Sequence, residues 1–325
     1  MGPRKPIPFS SPRSAGRGPR LRWDLEATLA AVVGLTSRVP ENAFTASVLG
    51  TEREGSGVLI HERGLVLTIG YLVCEAEEVW LRTQSGRVIP AHPLACDFES
   101  GFGLVQAHAD PGVPPVELGR SADLRVGAKL VMAAAGGAAN AIETVLVGRR
   151  EFAGYWEYLL DEALFVAPPH ADWGGAALLD TDGHLVGIGS LMVQVGESRS
   201  PDRVNMAVPI DLLPPILDDL VYHGRRRTPP LPWLGLYLAE TETGLVVMAT
   251  APGGPAARAG IEAGDRIFEI AGVPVAELAD FYRQLRALGP AGVRVPLRVL
   301  RDDARFVLEP VSADRASFLR PPRLH

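Results

Sequence analysis

The chain has 325 residues, 47% of them hydrophobic and 6% aromatic, an ordinary soluble composition with enough length for two or three separate cores. Its formal net charge of −6 excludes a general nucleic-acid binder, because phosphate backbones require a basic face. Gly 35 and Pro 28 predict many turns and few long helices, and two cysteines, Cys74 and Cys96, are too few for a disulfide framework. The expectation is two buried free thiols, with a single Cys74–Cys96 pair as the alternative.

Residues 1–22 carry Arg4, Lys5, Arg13, Arg17, Arg20 and Arg22, with no acid before Asp24. A disordered basic arm is expected over 1–24, its alternative role being to rest on an anionic surface or partner. The apolar stretch 27–35 (A-T-L-A-A-V-V-G-L) has the look of a signal-peptide core, yet Asp24 and Glu26 precede it and Arg38 and Pro40 follow without a cleavage site. It is also far shorter than the about 20 residues a bilayer span needs. The expectations are a first folded segment at 27–38, no transmembrane segment and a cytoplasmic location.

From Gly55 the pattern is that of short strands. Residues 56–60 (S-G-V-L-I) and 65–69 (L-V-L-T-I) flank a polar turn ending in Gly64 and read as a hairpin. Residues 78–83 alternate sides, 87–91 return after Ser85-Gly86, and 102–107 form a further strand. Residues 129–134, 159–167 and 184–191 follow, with turn residues between. Strands at this spacing predict barrels or a sandwich.

The period then changes. Leu212, Leu213, Ile216, Leu217, Leu220 and Val221 recur at helical steps, predicting a helix over 210–222 with Pro214 and Pro215 near its start. Residues 223–230 are a linker by composition, so a domain boundary is expected there. Beyond it, strands at 244–250, 266–270, 293–301 and 305–309 alternate with a helical turn at 255–259 and a helix over 277–288. That order predicts a small α/β domain over 231–311, and 312–325 read as a tail.

In this order the segments resemble the HtrA/Deg family, in which a trypsin-like double β-barrel precedes a PDZ domain. The resemblance implies a mainly β fold, with barrels over 25–222 and the small α/β PDZ domain over 231–311. Gly55-Ser56-Gly57-Val58-Leu59-Ile60 is similar to the family's G-S-G-V-I-I, and residues 67–73 (L-T-I-G-Y-L-V) lie over L-T-N-N-H-V-V. Residues 97–105 lie over D-x-x-x-D-L-A-V-L, and Leu118-Gly119-Arg120-Ser121 and Leu124-Arg125-Val126-Gly127 match L-G-D-S and L-R-V-G. Residues 171–178 (A-D-W-G-G-A-A-L) lie over the nucleophile loop G-N-S-G-G-P-L-L. The run Gly254-Pro255-Ala256-Ala257-Arg258-Ala259-Gly260, with Ala263-Gly264-Asp265, matches the PDZ part.

The alignment puts Tyr71 at the catalytic histidine, Gly101 at the aspartate and Trp173 at the serine. A triad needs an imidazole to take the hydroxyl proton and a carboxylate to orient that imidazole. Tyr71, with an ordinary pKa near 10, is no base at neutral pH; Gly101 has no side chain; Trp173 has no attacking lone pair. Ala171 replaces an oxyanion-hole glycine and Asp172 brings negative charge beside it, where losing one donor alone costs about 10²–10³ in rate. The expectation is a pseudoprotease with no catalytic residue, no metal and no cofactor. The alternative is a serine endopeptidase with a relocated centre, for which Ser100, Cys74, His170 and Asp172 are the nearby candidates. Tyr71 and Trp173 themselves either fill the old cleft or floor a peptide site.

The resemblance also implies a peptide groove. Trp233, Leu234, Gly235 and Leu236 are similar to the carboxylate-binding loop, and Leu278, Phe281 and Leu285 would line the groove or pack the domain's own core. The implied partners are protein C-termini or unfolded segments, through an adaptor, assembly-factor, chaperone-like or structural-subunit role. An oligomer is possible.

Overall fold

The computed structural model describes residues 24–195 and 202–320. The expected basic arm, apart from Asp24, and the last five residues of the expected tail lie outside them. The chain divides into two compact units, one holding 24–150 and 162–225, the other 151–161 and 226–320.

The first unit starts with a short helix α1 (Leu25–Leu29), capped by the Asp24 carboxylate on the Ala27 amide at 3.2 Å. Six strands follow: β1 (Val32–Arg38), β2 (Glu52–His61), β3 (Leu65–Ile69), β4 (Glu78–Arg82), β5 (Val88–Cys96) and β6 (Phe102–Ala107). They close a barrel in the order β1-β2-β3-β6-β5-β4. Inward residues of this barrel, among them Leu35, Leu59, Leu67, Leu81, Phe102 and Leu104, are fully buried, each contributing about 1.5–3 kcal/mol of apolar burial. The apolar stretch 27–35 is thus the end of α1 and half of β1, with Leu29, Val32, Val33 and Leu35 buried.

Strands β7 (Lys129–Ala133), β8 (Ala141–Gly154), β9 (Tyr158–Ala167), β10 (Ala177–Leu179), β11 (Leu185–Val195) and β12 (Asp202–Pro209) repeat the same closure, β10-β11-β12-β9-β8-β7. Leu130, Met132, Leu146, Leu164, Val166, Leu178 and Val186 fill it. The double barrel is as expected, although β8 and β12 were not read from the sequence. The single helix expected over 210–222 is not formed. A 3₁₀ turn over Ile210–Leu212 and the helix α2 (Leu217–His223) are separated by Pro214 and Pro215, which lack the amide protons a continuous helix needs. Leu212, placed on the apolar face by periodicity, is 37% exposed.

The second unit is a sheet of β13 (Leu236–Thr241), β14 (Gly244–Thr250), β15 (Arg266–Ile270), β16 (Val273–Pro274), β17 (Leu297–Arg301) and β18 (Ala304–Leu308). Its order is β13-β14-β15-β17-β18, with β16 paired to β15, so β13 is an edge. The helices α3 (Pro255–Arg258) and α4 (Leu278–Ala287) complete it; α4 buries Leu278, Ala279, Phe281, Tyr282 and Leu285. Asp265, 0% exposed, is held by the Arg301 guanidinium through two bonds of 2.6 and 2.7 Å. That charge pairing keeps a buried carboxylate tolerable in a β-turn.

Two boundaries differ from the sequence reading. Residues 312–320 are no loose tail: Ala313 bridges to Trp233, Ser312 is 3% exposed, and the Phe318 ring lies 4.9 Å from that of Trp233. The tip of the β8–β9 hairpin, 151–161, groups with the second unit. Trp233 carried no sequence sign of needing a partner strand from 80 residues further on.

Candidate functional site

Tyr71, Gly101 and Trp173, the positions that the resemblance aligns with a triad, lie near one another in the first unit. Tyr71 sits on the 3₁₀ turn Gly70–Leu72 that leaves β3. The Gly70 amide donates to the Gly101 carbonyl at 2.7 Å, fixing that turn against the Asp97–Gly101 loop. The Tyr71 hydroxyl donates to the Ser190 carbonyl at 3.1 Å, and burial raises its pKa far above the usual phenol value, with the Trp173 side chain pulling the other way. Trp173 packs against the core of the second barrel. A Cβ built on Gly174 would lie 2.9 Å from the Tyr71 hydroxyl, so tyrosine fills the space directly over the glycine pair.

The loop's backbone is tightly specified. Gly175 has φ +75°, and a Cβ there would stand 1.9 Å from the Ser56 carbonyl oxygen. Ser56 donates its amide to the Gly174 carbonyl at 2.8 Å and Gly175 its amide to Gly189 at 2.9 Å. Gly101, at φ +86°, holds a conformation that an L-residue with a side chain adopts only under strain.

The relocation candidates are all engaged otherwise. Ser100 is 1% exposed, and its hydroxyl donates to the Asp97 carboxylate at 2.5 Å. Cys74 and Cys96 are not joined in a disulfide; the first is buried and the second half-buried. His170, 4% exposed, is no solvated loop residue: its Nδ1 accepts the Asp172 amide at 2.9 Å and its Nε2 donates to the Asn140 carbonyl at 3.1 Å. Both ring nitrogens are thus engaged by backbone partners. The Asp172 carboxylate accepts from the Asn140 amide group at 3.1 Å.

A buried cation supports this region, and sequence reading missed it. Arg53 on β2 is 5% exposed; it donates to the Tyr71 carbonyl at 2.7 Å, the Cys74 carbonyl at 2.9 Å and the Thr45 hydroxyl at 2.8 Å. Glu75 beside it accepts the Phe44 and Thr45 amides at 3.0 and 2.7 Å. Burial lowers the Arg53 pKa, while Glu75 is among the groups that restore it. In the sequence, Arg53 is one charge in the run Glu52-Arg53-Glu54, and nothing local marks it as buried.

In the second unit the loop 233–236 has Leu234 and Leu236 buried, with Gly235 at φ +77°. Its Leu234 and Leu236 amides donate to the two side-chain oxygens of Glu157, at 2.9 and 2.6 Å. Leu278, Phe281 and Leu285 belong to one apolar cluster with Leu159, against which Ala153 also packs. They are core residues of a cluster that takes in the hairpin tip. Tyr282 on α4 donates its hydroxyl to the Gly154 carbonyl at 2.8 Å.

Residues 55–188 match the family described as "Trypsin-like peptidase domain", and residues 246–301 the family described as "PDZ domain". The serine endoprotease DegS of Escherichia coli (strain K12) is 27% identical over 274 residues, 78% of this chain and 75% of DegS. A probable periplasmic serine endoprotease, DegP-like, of Pseudomonas fulva is 26% identical over 291 residues, 83% of this chain and 59% of that protein. Among solved structures, the HtrA-type protease AlgW with a decapeptide has the same fold at a TM-score of 0.53 and 20% identity, over 92% of this chain and 98% of AlgW. The serine endoprotease from Yersinia pestis does so at 0.52 and 21%, over 89% and 96%. The chain thus carries a trypsin-like peptidase domain followed by a C-terminal PDZ domain, and it is homologous to the DegS and DegP proteases.

Proposed function

We propose that this HtrA homologue is a non-catalytic, peptide-binding adaptor or chaperone-like scaffold. The observation that supports this reading is the trio Tyr71, Gly101 and Trp173, which align with the family's base, orienting carboxylate and nucleophile and lie close to one another in the fold. A phenol held above its usual pKa cannot take a proton at neutral pH, an indole N–H cannot attack a carbonyl, and a glycine orients nothing. The Tyr71 hydroxyl bond to Ser190 favours filling of the cleft over an open aromatic floor.

Peptide recognition falls to the PDZ domain. In this reading the amides of the loop Trp233–Leu236 catch a terminal carboxylate and β13 accepts an added strand. AlgW, solved with a decapeptide, supports a peptide ligand for the same fold.

The competing reading is the serine endopeptidase activity of the curated relatives, from a relocated centre. A fluorophosphonate probe and a casein digest separate the two. Neither labelling nor cleavage is expected; labelling that survives Trp173→Ala would overturn the adaptor reading.

A further inference from the structure

The PDZ groove already has an occupant from the same chain. The hairpin tip runs along the outer edge of β13, where the Leu238 amide donates to the Tyr155 carbonyl at 2.9 Å. That is a strand-addition contact, made on the edge an incoming peptide would use. One turn on, Glu157 at φ +60° points its side-chain carboxylate into the loop 233–236, accepting the Leu234 and Leu236 amides with one oxygen each. A terminal carboxylate makes the same pair of bonds. Leu159 then enters the domain's apolar cluster, 3% exposed, where the last side chain of a peptide would go.

Other contacts hold the tip in place. Tyr282 on α4 donates to the Gly154 carbonyl at 2.8 Å and accepts the Glu157 amide at 3.2 Å. Arg315 donates to the Trp156 carbonyl at 3.3 Å, Arg286 to the Leu159 carbonyl at 3.3 Å, and Arg283 pairs with Glu151. Tyr155 and Tyr237 lie with ring centroids 6.3 Å apart, and Trp156 stacks on Tyr158 at 5.7 Å.

We propose that residues 154–159 are a built-in ligand of this PDZ domain, with the Glu157 side chain imitating a chain terminus, and that a partner binds only by displacing it. The inference rests on the peptide-binding reading of the groove. The displacing partner is a protein chain ending in a free α-carboxylate and an apolar last residue, because those two features are what Glu157 and Leu159 imitate. Displacement makes affinity a competition: the apparent dissociation constant exceeds the intrinsic one by the closed-to-open ratio of the tip. A weak internal ligand is effective because covalent linkage gives it a high local concentration.

The test uses the full chain, with Glu157→Ala and Glu157→Gln, and N-terminally fluorescein-labelled decapeptides ending in Leu, Phe or Val, each as free acid and as C-terminal amide. Anisotropy is expected to show at least tenfold tighter binding of the free acids to Glu157→Ala than to the unaltered chain, with Glu157→Gln between them and the amides weak throughout. Amide hydrogen exchange at Leu234 and Leu236, without peptide, is expected to be slow in the unaltered chain and much faster in Glu157→Ala. Equal peptide affinity in all three proteins, or fast exchange at both amides in the unaltered chain, overturns the built-in ligand. If no free acid binds any variant, the peptide-binding reading fails, and the exchange data alone then decide whether Glu157 holds the loop.

Discussion

Raising the pH should open the PDZ groove. Burial pushes the Glu157 carboxyl up to about 7 while it is docked, against its ordinary 4.5, with the Leu234 and Leu236 amides and Arg315 pulling it back only in part. A carboxyl whose pKa is raised in the docked state favours docking while it is protonated, and that advantage is lost as pH climbs from about 4.5 to 7. The interval corresponds to about 3 kcal/mol. Between pH 5.5 and 8 the closed-to-open ratio should fall about thirtyfold, and apparent peptide affinity should rise by up to that factor. The other ionisable groups facing Glu157 are Arg315, Tyr237 on β13 and Tyr282 on α4. Burial raises both phenols further from this window, so neither changes charge in it, and the unbound peptide's terminal carboxylate stays ionised throughout it. The assay is anisotropy of a labelled free-acid decapeptide at pH 5.5, 6.5, 7.25 and 8, with Glu157→Gln as the control expected to be flat. An affinity that is constant, or that falls as pH rises in the unaltered chain alone, would refute the reasoning.

Three further outcomes are expected in the first unit. Gly175→Ala should cost about 3 kcal/mol or more in urea unfolding, since its Cβ meets the Ser56 carbonyl at 1.9 Å from a backbone at φ +75°; a loss under about 1 kcal/mol would mean the loop relaxes freely. Arg53→Met should cost about 3–5 kcal/mol by the same measurement, because it strands the Tyr71 and Cys74 carbonyls and leaves the Glu75 charge buried; a neutral result would show water replacing the guanidinium. Trp173→Ser supplies a hydroxyl without a base, so it should stay unlabelled by a fluorophosphonate probe at pH 8. Labelling there would reveal a base not identified around Tyr71.

The architecture was legible because it is written in local signals. Short apolar runs punctuated by Gly, as in 56–69, can only be strands and turns, and Gly174-Gly175 marks a loop whose backbone leaves no room for Cβ atoms. The identities at 71, 101 and 173 are likewise fully present in the sequence, and side-chain chemistry alone limits what each can do. The helix over 210–222 failed because two adjacent prolines outweigh apolar periodicity.

What the chain order could not reveal are contacts between residues far apart in it. Arg53 lies in a run of three charged residues and reads as exposed by composition; only the fold supplies the Tyr71 and Cys74 carbonyls that its buried guanidinium needs. Residues 312–320 read as a tail because nothing local marks Ala313 as a partner of Trp233. Glu157 is the clearest case. In sequence it is one acid in an aromatic hairpin tip, and its meaning arises from two amides nearly 80 positions away, left unpaired by the geometry of their own loop. Composition and spacing determined which folds were built and which side chains stand at the positions aligned with a triad. Tertiary structure decided where the remaining hydrogen-bonding capacity points, because directional bonds between distant backbone groups exist only once the chain has closed on itself.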